Sequence, residues 1–336
     1  SGGFLVSADS YIRTKSSQEE SQISPPKYQG VEIDKNTRRI CLMNTFLHNL
    51  DANIVYGDAL TDDVLKLDDP DIILANPPFG NKAGSQRPLR SDLPFPNTNK
   101  QLAFLQHIYL SLKAGGRAAV VLPDNVLFES GIGTDVRKDL MNKCNLHTIL
   151  RLPTGIFYAQ GVKTNVLFFT KGSSKDKYQQ ENCTENVWVY DLRTNMPSFG
   201  KRTPFGNSDI SFAPENSGTD LHLGAFEKQF GENPNGTSKR TEGEYSFDAL
   251  EIEIDNDIVE ENLGIDEQLA HSRWRCFSRE WIAECKSDSL DISWLKDKES
   301  VDTDNLSEPA ILVNEAKEEL VAALTELESL LGALEG

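Results

Sequence analysis

DIILANPPFG, residues 71–80, joins a short apolar run to a turn of unusual composition. The run 71–75 predicts a strand that is covered on both faces in a parallel sheet. Asn76 precedes a proline, which favours an extended backbone at that position. We therefore expect Asn76 at the carboxyl end of the strand, the edge at which open α/β sheets bind their ligands.

The turn that follows offers hydrogen-bond acceptors and few donors. Asn76 carries an amide oxygen, whereas Pro77 and Pro78 have no backbone N–H. The Asn76 side chain and the Pro77 carbonyl could accept the hydrogens of an exocyclic amine and localise its nitrogen lone pair. Phe79 offers a flat face for a nucleobase taken out of its stack. The alternative is that Asn-Pro-Pro simply makes a rigid loop start.

Two acidic residues follow the preceding strands. Residues 28–34 and 53–57 have strand character, so Glu32 and Asp58 should stand near the carboxyl ends of successive strands, on the edge that carries Asn76. An acid at the second strand's end binds ribose hydroxyls in dinucleotide folds, and Asp58 could accept from an adenine amine. Either acid taken singly could be a solvated loop carboxylate. Their shared edge favours a binding site.

The chain opens with Gly2 and Gly3 before an apolar helix start, which matches half of a strand-to-helix nucleotide loop. Residues 35–50 predict an amphipathic helix that Asp34 caps. Its inward face should carry Ile40, Met43, Leu47 and Leu50.

The first half of the chain predicts an α/β fold with a doubly wound, mostly parallel sheet. Further strands are expected at 117–122, 146–152 and 162–170, and helices at 101–112 and 136–144. Thr98 and Gln101 form a capping-box pattern for the first of these helices. Its inward face should carry Leu102, Leu105, Ile108 and Leu112. The connection from 153 to 161 is short and broken by proline and glycine, too short for a crossover helix. Strand 162–170 should therefore run antiparallel to its neighbour.

Residues 81–100 form a long loop rich in Pro, Gly and Asn. Its basic residues outnumber its single acid, Asp92: they are Lys82, Arg87, Arg90 and Lys100. Loops of this length are usually functional or disordered. The loop could contact phosphates, or it could be a plain surface excursion.

Charge is divided unevenly along the 336 residues. Residues 1–170 hold 18 Lys and Arg against 17 Asp and Glu, whereas the rest hold 16 against 35. An acidic second half is a poor surface for binding DNA phosphates unaided. Five cysteines without metal-ligand spacing indicate reduced thiols in a cytoplasm, so no metal is expected. The sequence contains no apolar run of membrane-spanning length.

Three regions are expected: a catalytic domain at 1–195, an irregular acidic region at 196–305, and a C-terminal helix at 306–336. Leucines in the last region repeat with spacings of four and three, at Leu320, Leu324, Leu327, Leu331 and Leu334. Such a seam suits a partner helix, although packing on its own domain would explain it nearly as well.

Five segments together carry a family resemblance: SGGFLV, GVEIDKNTRRICLMNTFLHNL, GDAL, ANPPFG and LPTGIFYAQGVKTNVLFFTKG. The chain resembles the modification (methyltransferase) subunit of type I restriction–modification systems, an N6-adenine DNA methyltransferase that uses S-adenosylmethionine. The resemblance is good over about the first 195 residues and loose beyond them. NPPF alone is shared with enzymes that methylate other amino groups.

The resemblance implies roles for particular residues. Asn76, Pro77, Pro78 and Phe79 match the catalytic turn that holds a flipped adenine. The residues expected around the cofactor, with Glu32 on its ribose and Asp58 near its adenine, are Ser1, Gly2, Gly3, Phe4, Glu32, Ile33, Asp58, Ala59 and Asn76.

The resemblance also implies partners, and in one respect this sequence differs from the family. The expected partners are DNA, a specificity subunit, a restriction (helicase and nuclease) subunit and a second copy of the modification subunit. In the family, a first central strand ending in Asp-Pro-Ala-Cys-Gly and a helical N-terminal domain precede the glycine loop, and this sequence has neither. We expect upstream residues of a longer protein to supply them. The open alternatives are a methyltransferase of an RNA base or a protein amide, and a non-catalytic scaffold.

Overall fold

The computed structural model describes residues 1–18, 25–78, 89–96, 99–157, 162–173, 181–196, 198–200, 205, 221–242, 253–254 and 272–296. Phe79, most of the basic loop and the leucine seam lie outside these residues. The described cysteines are all free thiols. No helix in the described segments is both long and apolar enough to cross a membrane.

A six-stranded mixed sheet forms the centre of the fold, in the spatial order β3-β4-β6-β5-β7-β9. Its strands in chain order are β3 (Ile72–Ala75), β4 (Arg117–Pro123), β5 (Cys144–Leu152), β6 (Thr164–Lys171), β7 (Asn186–Asp191) and β9 (Trp274–Ser278). β3, β4, β5 and β7 run in one direction, and β6 runs against both of its neighbours, as the short connection predicted. β9 is a second reversed strand that pairs with β7.

Two smaller sheets accompany the central one. β1 (Tyr28–Glu32) and β2 (Ala52–Tyr56) form a parallel pair, and β8 (Glu253–Ile254) pairs antiparallel with β10 (Leu295–Lys296). Each of β1 and β3 keeps one edge that no described strand pairs. The strands that carry Glu32 and Asp58 and the strand that precedes Asn76 therefore belong to two separate sheets.

Seven α-helices and one short 3₁₀ helix are described. The α-helices are α1 (Gly3–Gln18), α2 (Lys35–Leu47), α3 (Lys100–Ser111), α4 (Asp124–Phe128), α5 (Ile132–Lys143), α6 (Leu221–Phe230) and α7 (Arg279–Lys286), and the 3₁₀ helix is Asp62–Lys66. Asp34 caps α2 as predicted, because its carboxylate accepts from Thr37 N at 2.7 Å. Asn99, rather than the expected Thr98, caps α3 through the backbone N–H groups of Gln101 and Leu102.

The main core lies between the central sheet and α3 and α5. The predicted inward residues of α3 are all buried there: Leu102, Leu105, Ile108 and Leu112. Phe277, Trp281 and Trp294 join the same cluster. The sheet and its core thus draw on residues 274–295, within the range that the sequence marked as irregular. A two-turn helix and a five-residue strand give weak periodicity, which explains why the sequence did not reveal them.

A second apolar cluster covers part of the opposite face of the sheet, where α6 contributes Phe226 and Phe230. Phe226 stands edge-on to Tyr190 with ring centroids 5.5 Å apart. α6, β6 and α1 border an apolar cavity of about 800 Å³.

Two burial predictions were wrong. Ile72 and Leu74 of β3 are 44% and 43% exposed, because β3 is an edge strand and no described element covers that side. On α2 the predicted inward residues Ile40, Met43 and Leu47 are exposed, whereas Cys41 and Thr45 are buried. In this orientation Arg38 faces β2 and donates to the Ile54 carbonyl at 2.8 Å, and no described element covers the apolar face of the helix.

Arg90 anchors the end of the basic loop inside the fold. Its guanidinium binds Asp92 with two hydrogen bonds, at 2.8 and 2.5 Å, and donates to His107 Nδ1 at 2.7 Å on α3. Its backbone N–H donates to Leu60 O at 2.8 Å, next to Asp58 and Ala59. Arg90 is therefore a structural tie that holds the turn after β2, and its buried charge cannot serve as a phosphate contact.

His107 should make stability depend on pH. Burial, with the charge of Arg90 beside it and despite Asp92, lowers the pKa of His107 from 6.5 to about 4. The unfolded chain then binds more protons between about pH 6.5 and 4, so stability should fall as pH falls through that window. We expect His107→Gln to unfold with a shallower pH dependence than the parent protein in urea titrations at pH 4.5 and 6.5.

His147 provides a matched comparison, because burial and Arg240 lower its pKa to about 3 in the same direction. His147→Gln should remove a separate part of the dependence. Identical pH profiles for the parent protein and His107→Gln would contradict the role assigned to His107.

Candidate functional site

The Asn76 turn stands at the carboxyl end of β3, as predicted. Asn76 and Pro78 are exposed, whereas Pro77 is buried. The Asn76 amide makes no hydrogen bond to any residue that the structure describes, so its oxygen is free to accept one. Pro77 anchors the turn while the polar group beside it faces outward. Phe79, the fourth predicted residue, lies outside the described part of the chain.

Glu32 is the last residue of β1, and only one of its two carboxylate oxygens accepts a hydrogen bond from a described residue. Its Oε1 accepts from Asp34 N at 2.9 Å, which orients the side chain at the start of α2. Its Oε2 has no hydrogen-bond partner among the described residues. The Glu32 carbonyl accepts from Gly57 N at 3.2 Å and joins the ends of the two strands. A half-buried carboxylate with a free oxygen can accept from the hydroxyl groups of a ligand.

Asp58 follows β2 in a tight turn that fixes its side chain. Its Oδ1 accepts from Leu60 N at 2.9 Å, and its carbonyl accepts from Thr61 N at 3.0 Å. Asp63 caps the other side by accepting from Asp58 N at 3.2 Å. Asp58 Oδ2 is left without a partner in the described segments. Since Glu32 pairs with Tyr56 in the ladder, Asp58 and Glu32 share one sheet edge.

The start of α1 lies against α2. Asn44 of α2 donates to Ser1 O at 2.8 Å, and Gly2 O accepts from Leu5 N and Val6 N at 3.1 Å. Gly2 has φ +80°, and a Cβ there would stand 2.9 Å from Cys41 Sγ. Glycine is therefore required both by the backbone conformation and by the close approach of α2. The first turn of α1 contains no acidic residue, so its N-terminal end keeps a positive potential.

The sequence-predicted residues fall into two groups. Glu32, Asp58 and the Ser1–Gly2 backbone gather around the β1–β2 pair, joined by α2. Asn76 belongs to the six-stranded sheet, and no described hydrogen bond joins β1 to β3. Phe4 and Ile33 are largely exposed, and Ala59 is half-buried.

Hydrogen bonds link the segments around the β1–β2 pair to the segments around β3 and α3. The Gln29 amide of β1 exchanges hydrogen bonds with the backbone of Asp68, in the segment that leads to β3. Arg90 adds the backbone hydrogen bond from its N–H to Leu60 O. The sequence did not predict this contact, because nothing in a basic loop indicates which arginine is buried. In the described residues, no three His, Cys, Asp or Glu side chains come together as metal ligands.

Known proteins resemble this chain in sequence. Residues 1–254 match the family described as N-6 DNA Methylase. The methylase subunit of the type I restriction enzyme EcoKI, from Escherichia coli strain K12, is 53% identical over 346 residues, which cover 99% of this chain and 62% of that protein. The StySPI methylase subunit from Salmonella potsdam is also 53% identical, with the same coverage.

A solved structure is similar as well. The crystal structure of the EcoKI M protein has a TM-score of 0.79 and 51% sequence identity, covering 99% of this chain and 67% of that one. The chain thus spans about three fifths of the length of the curated relatives it matches. Because the family match takes in far more than half of the residues, this chain belongs to the N-6 DNA methylase family.

Proposed function

We propose that this chain is the catalytic part of the modification subunit of a type I restriction–modification system, and that it transfers a methyl group from S-adenosylmethionine to N6 of adenine in DNA. One observation carries the proposal most directly: the exposed Asn76 amide, on a proline turn at the end of β3, has no hydrogen-bond partner among the residues that the structure describes. The 53% identity to methylase subunits of such systems supports it.

The residues around β1 and β2 fit S-adenosylmethionine in their chemistry. Glu32 and Asp58 each keep one free carboxylate oxygen, which suits the ribose hydroxyls and the adenine amine as donors. Gly2 leaves no room for a side chain beside Cys41, so the backbone there can approach a ligand closely. We infer that Ser1, Gly2, Gly3, Phe4, Glu32, Ile33, Asp58 and Ala59 form the cofactor site, with Asn76 at its reactive end.

S-Adenosylmethionine, when bound, supplies an electrophilic methyl group. The amine of adenine is a weak nucleophile because its lone pair is delocalised into the ring. Asn76 Oδ1 and the Pro77 carbonyl would accept its two hydrogens and keep the lone pair on nitrogen. Both acceptors become more favourable as positive charge develops there. The methylated amine is acidic enough to lose a proton to water, so the chain needs no dedicated base.

Two other functions predict different results. A methyltransferase of an RNA base or a protein amide would transfer label to RNA or protein rather than to DNA. A non-catalytic scaffold would transfer label to none of the three. In the described part of the chain, the Asn76 amide and one carboxylate oxygen each of Glu32 and Asp58 have no protein partner and stand at the carboxyl ends of strands, which supports a catalytic subunit.

We propose further that the protein acts within a cytoplasmic complex with a specificity subunit, a restriction subunit and a second modification subunit. The acidic second half would be repelled by DNA, and the buried Arg90 removes one cation from the basic loop. Sequence-specific contact with the bases must then come from another subunit. The relatives' names place them in type I restriction enzymes, which supports this assignment.

The edges of β1 and β3 that no described strand pairs suggest where a further strand belongs. We propose that a parallel strand from another part of the complete protein pairs with both edges and joins the two sheets. Such a strand would bring Glu32, Asp58 and Asn76 onto one continuous edge. The expected helical domain at the N-terminus and the C-terminal helix at 306–336 remain proposals of the same kind.

Glu32→Ala should weaken cofactor binding. A charge-assisted hydrogen bond is worth about 1.5–3 kcal/mol, so affinity for S-adenosylmethionine should fall by roughly ten- to a hundredfold. Calorimetric titration of the complete protein measures this. Glu32→Gln keeps an acceptor for Asp34 N but loses the charge, and it should also bind weakly. Asp62→Asn, an exposed acid nearby, is the control. Unchanged affinity in Glu32→Ala would remove Glu32 from the site.

Asn76→Ala should slow methyl transfer more than it weakens the cofactor. Loss of one group that stabilises developing charge lowers turnover by about 10²–10³. Single-turnover methylation of DNA containing the target site measures the rate, with Asn53→Ala on β2 as the control. A rate near that of the parent protein would show that the turn does not hold the amine.

Deleting residues 308–336 should separate recognition from cofactor binding. If the leucine seam docks on the specificity subunit, the truncated protein should bind S-adenosylmethionine normally but neither co-purify with that subunit nor methylate specific sites. Leu324→Asp and Leu331→Asp in the intact chain should act the same way. Normal assembly of the truncated protein would assign the seam to packing within its own domain.

A further inference from the structure

Arg193, just beyond the end of β7, lies across the carboxyl edge of the central sheet. Its guanidinium binds Asp124 with two hydrogen bonds, Nη1 to Oδ2 at 2.8 Å and Nη2 to Oδ1 at 2.9 Å. It also donates from Nε to Leu152 O at 3.0 Å and from Nη2 to Thr164 O at 2.8 Å. One side chain thus ties the ends of β4, β5 and β7 to the beginning of β6.

Further hydrogen bonds fix both Asp124 and the backbone of Arg193. Asn165 Nδ2 donates to Asp124 Oδ1 at 2.7 Å. Asp191, fully buried, accepts the backbone N–H groups of Arg193 and Thr194 at 2.8 Å. Arg151 and Arg273 lie 3.8 and 4.0 Å from the Asp191 carboxylate and balance its charge. The position of the Arg193 guanidinium is therefore fixed at both its backbone and its tip.

Stability alone is a weak reason for such a cluster. Arg193 is only 8% exposed, and burying an ion pair costs desolvation energy that offsets much of its attraction. Apolar side chains of similar volume often stabilise a fold equally well at such places. A bidentate pair with an arginine does provide fixed geometry, because the guanidinium is planar and its donors match both carboxylate oxygens.

The cluster and the Asn76 turn lie at the same edge of the central sheet. β3 pairs in parallel with its neighbour β4 up to Ala75 and Val120, so Asn76 and Asp124 both follow the carboxyl ends of these two strands. Asp124 N donates to the carbonyl of the exposed Lys163 at 3.0 Å, just before the start of β6 on that edge. Arg193 thus fixes the segment that leaves the strand next to the one that carries the Asn76 turn.

We propose that Arg193 is a positioning residue for methyl transfer. Through Asp124 it fixes the end of β4 and Lys163 relative to the Asn76 turn, and so sets the place of the target base. This role rests on the proposed function of the turn. Lys163, an exposed cation at that edge of the sheet, is suited to a phosphate of the nucleic-acid strand that carries the base.

The test compares two arginines that donate to opposite ends of β5, Arg193 to Leu152 and Arg240 to His147. Arg193→Lys keeps the charge but loses the bidentate geometry. Arg240→Lys is the matched control. Arg240 donates to the carbonyl of Phe230 on α6, and to His147 O and Thr148 Oγ1 in the first half of β5, away from the carboxyl edge. Each variant is prepared as the complete protein in its assembled complex. Thermal unfolding, affinity for S-adenosylmethionine and the single-turnover rate on DNA are measured for each.

Both variants should unfold at lower temperature, while only Arg193→Lys should lose rate. Displacements of about 1 Å near a reaction centre cost on the order of a hundredfold, so we expect a fall of about ten- to a hundredfold in single-turnover rate. Affinity for S-adenosylmethionine should change less than threefold. Asp124→Asn combined with Arg193→Lys should be no slower than the slower single variant, since the two residues act as one unit.

Two results would overturn the assignment. A parent-like rate in Arg193→Lys, or an equal loss of rate in Arg240→Lys, would make the cluster purely structural while leaving the proposed function intact. Absence of methyl transfer to DNA by the parent complex would overturn the proposed function and the role of Arg193 together.

Discussion

The parallel pairing of β3 with β4 is the constraint on which the rest of the site depends. Because the two strands run in the same direction, the Asn76 turn and Asp124 leave the sheet at the same edge. The reversed strand β6 then enters at that edge beside β4 and β5 and brings Asn165 within 2.7 Å of Asp124. Polar groups from four strands thus meet without any long loop having to carry them there.

The parallel pairing of β1 with β2 likewise brings polar residues to one edge of a sheet. Its register joins Glu32 to Tyr56 and places Asp58 just past the ladder. Each acid uses one oxygen to shape its own turn and leaves the other open. The protein-facing oxygen sets the orientation of the side chain, and the other oxygen, which has no partner among the described residues, is left available to a ligand. Carboxylates arranged in this way are pre-organised, so little conformational entropy is lost when a ligand arrives.

Sequence reasoning located the strands and the candidate acids, because buried parallel strands are continuous apolar runs and polar residues at their ends stand out. It placed α3 and its inward residues correctly, since Leu102, Leu105, Ile108 and Leu112 keep a helical period. It failed on α2, where Arg38, Cys41 and Thr45 face the β1–β2 pair or its neighbours and the more apolar face is left uncovered by the described residues. It also missed β9, Arg90 and Arg193, whose partners lie far away along the chain: the contact from Arg193 to Asp124 spans 69 residues. No local pattern encodes such contacts.

The outward face of α2 has a consequence for how the chain behaves in solution. Ile40, Met43, Phe46 and Leu47 are between 53% and 79% exposed and adjoin one another on a single helix. A cluster of this kind is uncommon on the surface of a monomeric protein, and it marks a surface that further polypeptide covers. Among the described strands, β1 and β3 each also keep one edge whose backbone groups can pair with another strand. The described segments alone therefore present both an apolar helix face and open strand edges, so we expect their solubility to depend on the rest of the complete protein.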